Sequence, residues 1–331
     1  MKKIIRLFFS IFVIFLFAFS SASASDIIVT SKQIKTFKGK KIGEKVDGLI
    51  WRGGIELTSE SKIFGGLSGI TFTGANNQFT MVSDIGYFFT GKLVYDKTGA
   101  PLALDNVLAS LITNSKGAAL PRKFAKDAEA IDVIYRQNKP AAIRVGFENL
   151  TRVADFELIN GKPKGAALIV AIPSALSNER TNASLESLCI APPTSPIAGS
   201  TLLITEKMLE NGSVVGFMLG VKDRGRLHLK KAIGLNPTDC AFLENGDLLI
   251  LERGIGFLSF TMQLRLVKAD EVQPGAMLRG KSILKASGGD IDNMEGLAIH
   301  KNENGVEIIT IISDDNFNGW EKNLLLQFSL N

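Results

Sequence analysis

The sequence predicts an all-β fold, a single β-propeller, and three observations predict it. Beyond about residue 45 the chain is a succession of short β-branched and aromatic runs broken by Gly, Asn and Asp, with few long helical periodicities. One plan of residues recurs along it at long intervals. The two chain ends also complement each other, the last repeat being short of an outer strand that the first part of the chain can supply.

The repeat is a small polar or acidic residue, a short apolar strand, a turn, and a second apolar strand ending in an acid. Gly66-Leu67-Ser68-Gly69-Ile70 leads to Phe79-Thr80-Met81-Val82-Ser83-Asp84, and Asp127-Ala128-Glu129-Ala130-Ile131 leads to Ile143-Arg144-Val145-Gly146-Phe147-Glu148. Leu185-Glu186-Ser187-Leu188 leads to Leu202-Leu203-Ile204-Thr205-Glu206, and Thr238-Asp239-Cys240-Ala241 leads to Leu248-Leu249-Ile250-Leu251-Glu252-Arg253. Met294-Glu295-Gly296-Leu297 leads to Ile309-Thr310-Ile311-Ile312-Ser313-Asp314. Placed at residues 68, 129, 186, 239 and 295, the starts recur every 53 to 61 residues.

Each pair reads as a hairpin. Asn245-Gly246 and Asn304-Gly305 supply the positive φ that tight hairpin turns need. The residues between hairpins suffice for two more strands, as at 91–96 and 102–104. Four antiparallel strands repeated radially make a propeller blade, whereas solenoid repeats are shorter and more regular. Five blades are read directly, with a sixth left open. The last repeat adds one strand near residues 323–330, and residues 48–57 can complete that sheet, closing the ring and removing two exposed edges.

Residues 1–24 read as an export leader rather than part of the fold. Lys2, Lys3 and Arg6 form a positive start, residues 7–19 an apolar core too short to span a bilayer, and Ala22-Ser23-Ala24 a cleavage pattern. The expectation is a periplasmic or secreted protein spanning 25–331, with no membrane anchor after cleavage, acting as a monomer. The formal charge of +5 falls with the leader, leaving 35 basic against 33 acidic residues, which offers no field for nucleic acid. Cys189 and Cys240 read either as two small buried hydrophobes or as a disulfide that export permits.

In a propeller the innermost strand begins at the face where the second strand ends, so the acids of all repeats should gather at one channel mouth. One ring is then Glu129, Glu186, Asp239 and Glu295, with Ser68 in the equivalent place. The other is Asp84, Glu148, Glu206, Glu252 and Asp314. Crowded carboxylates must bind cations, pair with Arg or take up protons. An all-oxygen set suits Ca²⁺, and Asp84, Glu148, Glu186, Glu206, Asp239, Glu252, Asp292 and Asp314 are the candidate ligands. The alternative is that these acids cap strands, accept backbone N–H bonds and pair with Arg144, Arg152 or Arg253. His228 and His300 lack ligand spacing, and neither G-x-S-x-G nor a phosphate-loop motif occurs.

The chain from about Phe37 to Asn331 resembles the phytase-like family, also described as the esterase-like activity of phytase. The carriers are Gly65-Gly66-Leu67-Ser68-Gly69-Ile70, Ser83-Asp84, Asp127-Ala128-Glu129-Ala130-Ile131, Phe147-Glu148, Pro237-Thr238-Asp239 and Leu251-Glu252-Arg253. Asp292-Asn293-Met294-Glu295-Gly296-Leu297 and Ser313-Asp314-Asp315-Asn316-Phe317 complete them. The resemblance implies a secreted or periplasmic propeller with a hydrolytic role. Two functions follow as expectations. One is a Ca²⁺-dependent hydrolase of small phosphate or carboxylic esters, with Glu129 or Glu295 moving a proton and Arg144, Arg152 and Arg253 binding substrate. The other is a non-catalytic ligand-binding propeller.

Overall fold

The computed structural model describes residues 24–74, 77–178, 184–220, 224–256 and 259–330, so the leader read at 1–24 lies outside the described residues except for Ala24. Among these residues the chain forms five radial sheets, and the number of blades is five.

The innermost strands are Leu67–Phe72, Ala128–Arg136, Leu185–Ile190, Asn236–Phe242 and Asn293–Lys301. Each packs against the next, and the fifth returns to the first, which closes the ring around a central channel. The second strands, Gln78–Ser83, Lys139–Phe147, Thr201–Glu210, Leu248–Gly256 and Glu307–Asp314, pair antiparallel with them, and third and fourth strands follow outward. Closure runs as the chain ends predict: Asn323–Leu330 pairs antiparallel with Leu49–Thr58, which in turn pairs with Thr30–Ile34. The chain start also adds Ser25–Asp26 to the outer edge of blade one.

Each blade is apolar on both faces because each is sandwiched between two others. Side chains alternate along a strand. In blade five Ile309, Ile311, Leu324 and Leu326 therefore face blade four, while Ile312 and Leu325 face blade one. Five separate apolar clusters result, one for each junction between neighbouring blades.

Cys189 and Cys240 are bonded to each other, their Cα atoms 5.6 Å apart. They stand on the inner strands of blades three and four, and sequence could not choose between bond and buried hydrophobes because the two strands meet only through the ring. Cross-linking across a sequence separation of 51 stabilises the fold by about 4 kcal/mol through the unfolded chain's lost entropy.

Candidate metal centre

A β-bulge builds the channel mouth. In every blade the innermost strand carries one extra residue against the second strand, between Leu67 and Gly69, Ala128 and Ala130, Leu185 and Ser187, Pro237 and Asp239, and Met294 and Gly296. A bulge leaves its residue out of the ladder and re-aims the side chain. The bulged residues are Ser68, Glu129, Glu186, Thr238 and Glu295. Two residues earlier stand Gly66, Asp127, Ser184, Asn236 and Asn293, each facing the end of the second strand at Asp84, Glu148, Glu206, Arg253 and Asp314.

This register corrects blade four by one residue. Thr238, not Asp239, shares the position of Glu129, Glu186 and Glu295, and Arg253, not Glu252, shares that of the terminal acids. Asp239 lies deeper and is fully buried, accepting backbone N–H bonds from Cys240 at 2.8 Å and Leu297 at 2.7 Å. It ties the inner strands of blades four and five, and is not aimed at the mouth. Burial pushes its carboxyl well above the usual range, against those N–H bonds. Glu252 turns to the flank of blade four, where buried Arg265 and Gln263 hold it. Asp292 likewise misses the cluster and accepts the N–H of Asn293.

Arg144 is not at the mouth. It grips Asp155 with two bonds of 2.7 Å and reaches Thr201 at 2.6 Å, tying blade two to blade three. Arg152 is at the rim, over the Phe147 ring at 3.7 Å, donating to the Ala125 and Leu150 carbonyls. Burial lowers its guanidinium to about 10, with Asp127 opposing that shift. Arg253 enters the mouth and donates to Glu295 and Asn293.

The carboxylates interlock. Asp127, Glu129 and Glu148 offer oxygens within 4.8 Å of one another, and so do Glu148, Glu186 and Glu206, with Glu148 common to both sets. Asn236 donates to Glu206 at 3.1 Å, and Asn149 donates to Asp127. The Glu148 carbonyl accepts from Thr151 and Ser184 at 2.7 and 3.0 Å, which fixes the turn carrying its side chain. Asp127, Asn236 and Asn293 are mouth residues that a search for strand-end acids misses. Their signal is the fixed offset of two from each bulge.

Burial and mutual repulsion act together here. Burial first, then Asp127, Glu295, Glu148 and Asp84, hold the Glu129 carboxyl well above its ordinary value. Burial, then Glu129, Glu148, Glu295 and Glu206, do the same to Glu186. Burial and then Asp127 push Glu148 to about 7 and Asp84 to about 6, and burial raises Asp314 to about 8. Burial also raises Glu295, while Arg253 pulls it down. One oxygen each of Asp84 and Glu148 is buried with no hydrogen-bond partner among the described residues. The donors are oxygen throughout, the set that hard cations take. Both histidines lie elsewhere: His228 bonds Glu210 at 3.1 Å, and His300 stacks on Phe72.

Fold and site together define a class: a five-bladed β-propeller with a carboxylate-lined channel mouth able to bind a metal. Within that class the chain belongs to the phytase-like family, described as esterase-like activity of phytase, which it matches over residues 62–317. No curated protein matches the chain. Among solved structures it is similar to Chaetomium thermophilum Sqt1 bound to the N-terminus of the ribosomal protein L10, at 15% identity and TM-score 0.34, covering 87% of this chain and 66% of that one. A glucose dehydrogenase gives 10% identity and TM-score 0.44, covering 80% of this chain and 98% of that one. The Myceliophteria thermophila Cps50 (Swd1) β-propeller domain gives 9% and 0.37, with 81% and 97% covered. At these scores the likenesses add nothing to the architecture that strand pairing defines.

Proposed function

We propose that this protein is an exported hydrolase of small phosphate or carboxylic esters that works with a hard divalent cation, Ca²⁺, at the channel mouth. The observation that carries this reading is the pair of carboxylate triads interlocked through Glu148. The unpartnered buried oxygens of Asp84 and Glu148 support it, because such atoms are costly without a hydrogen bond or an ion. Two ionised carboxylates about 4 Å apart repel by roughly 4 kcal/mol at an effective dielectric of 20, and the mouth holds several such pairs.

Asp127, Glu148, Glu186 and Glu206 would hold the cation, which when bound would polarise an ester carbonyl or phosphoryl oxygen. The remaining chemistry belongs to side chains of this chain. Glu129 is half-buried, and burial together with the surrounding acids favours its protonated form, from which it can protonate the departing alcohol oxygen. Arg253 orients Glu295 and favours its ionised form, so Glu295 can accept the proton of the water that adds to the ester. The leader and the Cys189–Cys240 bond support an oxidising compartment outside the cytoplasm.

A second reading, a non-catalytic ligand-binding propeller, is favoured by one observation. The rim and mouth arginines already have partners, Arg253 in Glu295 and Asn293, Arg152 in two carbonyls. Metal analysis of the purified protein, then assays of 4-nitrophenyl phosphate and 4-nitrophenyl acetate with and without chelator, separates the two. The hydrolase reading expects chelator-sensitive turnover that Glu148→Gln abolishes. Turnover indifferent to chelation and to Glu148→Gln sinks the metal mechanism, and retained metal without turnover selects the second reading.

A further inference from the structure

Large apolar side chains stand exposed on the connections around the acidic mouth. Phe124 precedes Asp127 by three residues, Leu150 follows Glu148 by two, Ile233 precedes Asn236 by three, and Ile255 follows Arg253 by two. Phe317 follows Asp314 by three, and Trp320 lies three further on. A chain of three residues spans at most about 11 Å, so the first five have their Cα atoms within that reach of a mouth residue. They belong to blades two, four and five or to the connections into them. Trp320 and Ile255 are 92% and 74% exposed. Single exposed hydrophobes are ordinary, but several gathered on the connections beside one site mark a binding surface.

Phe317 joins the apolar rim to the acids. Its ring and the Asp84 carboxylate both crowd the space beside Gly66, so aromatic edge and mouth acid lie together. The backbone there is held at positive φ, 45° at Asn316 and 52° at Phe317, a conformation bulky residues rarely adopt. Asp314 and Asp315 hold that turn by accepting the N–H groups of Asn316 at 2.8 Å and Phe317 at 3.2 Å.

We propose that the mouth selects esters bearing an apolar acyl or alkyl group beside the reacting centre. The inference rests on the hydrolase reading for its substrate and on the rim for its selectivity. The cluster itself is acidic, and the basic side chains nearest it sit against its carboxylates, Lys123 beside Asp84 and Lys207 on Glu206. The apolar rim supplies what such a mouth can attract. Two methylenes removed from water already give about a tenfold preference.

Two measurements test this on the whole protein. Trp51 is fully buried, so solvent-sensitive tryptophan emission reports Trp320. Octyl phosphate below its micelle concentration should shift that emission to the blue, while inorganic phosphate should not. With 4-nitrophenyl esters, kcat/KM for the octanoate should exceed that for the acetate at least about tenfold, and Trp320→Ala should shrink that ratio. An emission shift without any ester hydrolysis leaves the rim's selectivity standing and removes the hydrolase reading. Hydrolysis without chain-length preference overturns the rim and leaves the hydrolase. A response to phosphatidylcholine vesicles in place of monomeric octyl phosphate also overturns it, in favour of a membrane surface.

Discussion

Arg253 is a base where the other four blades place Asp84, Glu148, Glu206 and Asp314. Its position in the sequence is plain, but its role depends on the bulge that sets it one residue beyond Glu252. The contact with Glu295 and Asn293 gives the mouth an internal counter-charge, which pulls Glu295 down, while burial and neighbouring acids dominate at Glu129 and Glu186. Both partners of this pair are nearly out of solvent, their side chains 12% and 13% exposed. Arg253→Met should therefore destabilise the chelated protein by about 3 kcal/mol, because a buried acid loses its partner. Urea unfolding in chelator measures this, and a change below about 1 kcal/mol would show the pair to be incidental. Residue identity alone made the acids legible as a crowd. It could not tell which acids were already spoken for, since Arg265 for Glu252 and the Leu297 N–H for Asp239 come from other strands.

The inner hairpin is the element that carries the site, and its bulge explains both what sequence revealed and what it hid. Alternation and turn chemistry located every hairpin, since Asn-Gly turns and apolar runs are local signals. The bulge has no comparable signature, and a slip of one residue turns a side chain to the opposite face. In blades two, three and five the acid happens to fall in register, so the simple pattern found Glu129, Glu186 and Glu295. In blade four Thr238-Asp239 and Glu252-Arg253 each offer two polar neighbours, and the wrong one of each matched the pattern. The register makes opposite forecasts for two glutamates at the ends of second strands. Glu252→Gln should cost about 3 kcal/mol by stranding buried Arg265, yet leave Ca²⁺ affinity unchanged. Glu206→Gln should weaken Ca²⁺ binding with a smaller effect on the chelated protein's stability. Calorimetric Ca²⁺ titration beside urea unfolding of both variants decides it, and a Ca²⁺ defect in Glu252→Gln would refute the register.

At the scale of the whole molecule, fivefold repetition gathers residues from 84 to 314 around one axis, and that gathering has an energetic consequence. The five-bladed plan was legible because each blade repeats local patterns and the chain ends visibly complement each other. The charge balance at the mouth was not, because it sums contributions from every blade. In the metal-free protein Asp84, Glu148 and Asp314 titrate near 6, 7 and 8, against ordinary values of 3.8, 4.5 and 3.8. The folded state thus binds protons that the unfolded chain has already released, so stability must fall as pH rises through this interval. For these three groups the loss begins near the ordinary carboxylate values, around pH 4, and levels off once pH passes about 8. A cation that binds only the folded mouth replaces those protons and opposes the loss by mass action. Thermal unfolding in chelator should therefore give a higher Tm at pH 5 than at pH 8. Millimolar Ca²⁺ should raise Tm strongly at pH 8 and little at pH 5, where protons compete for the same oxygens. A chelated protein whose Tm is flat or rising across this range would mean that the mouth carboxylates are neutralised by their protein partners, leaving no electrostatic demand for an ion.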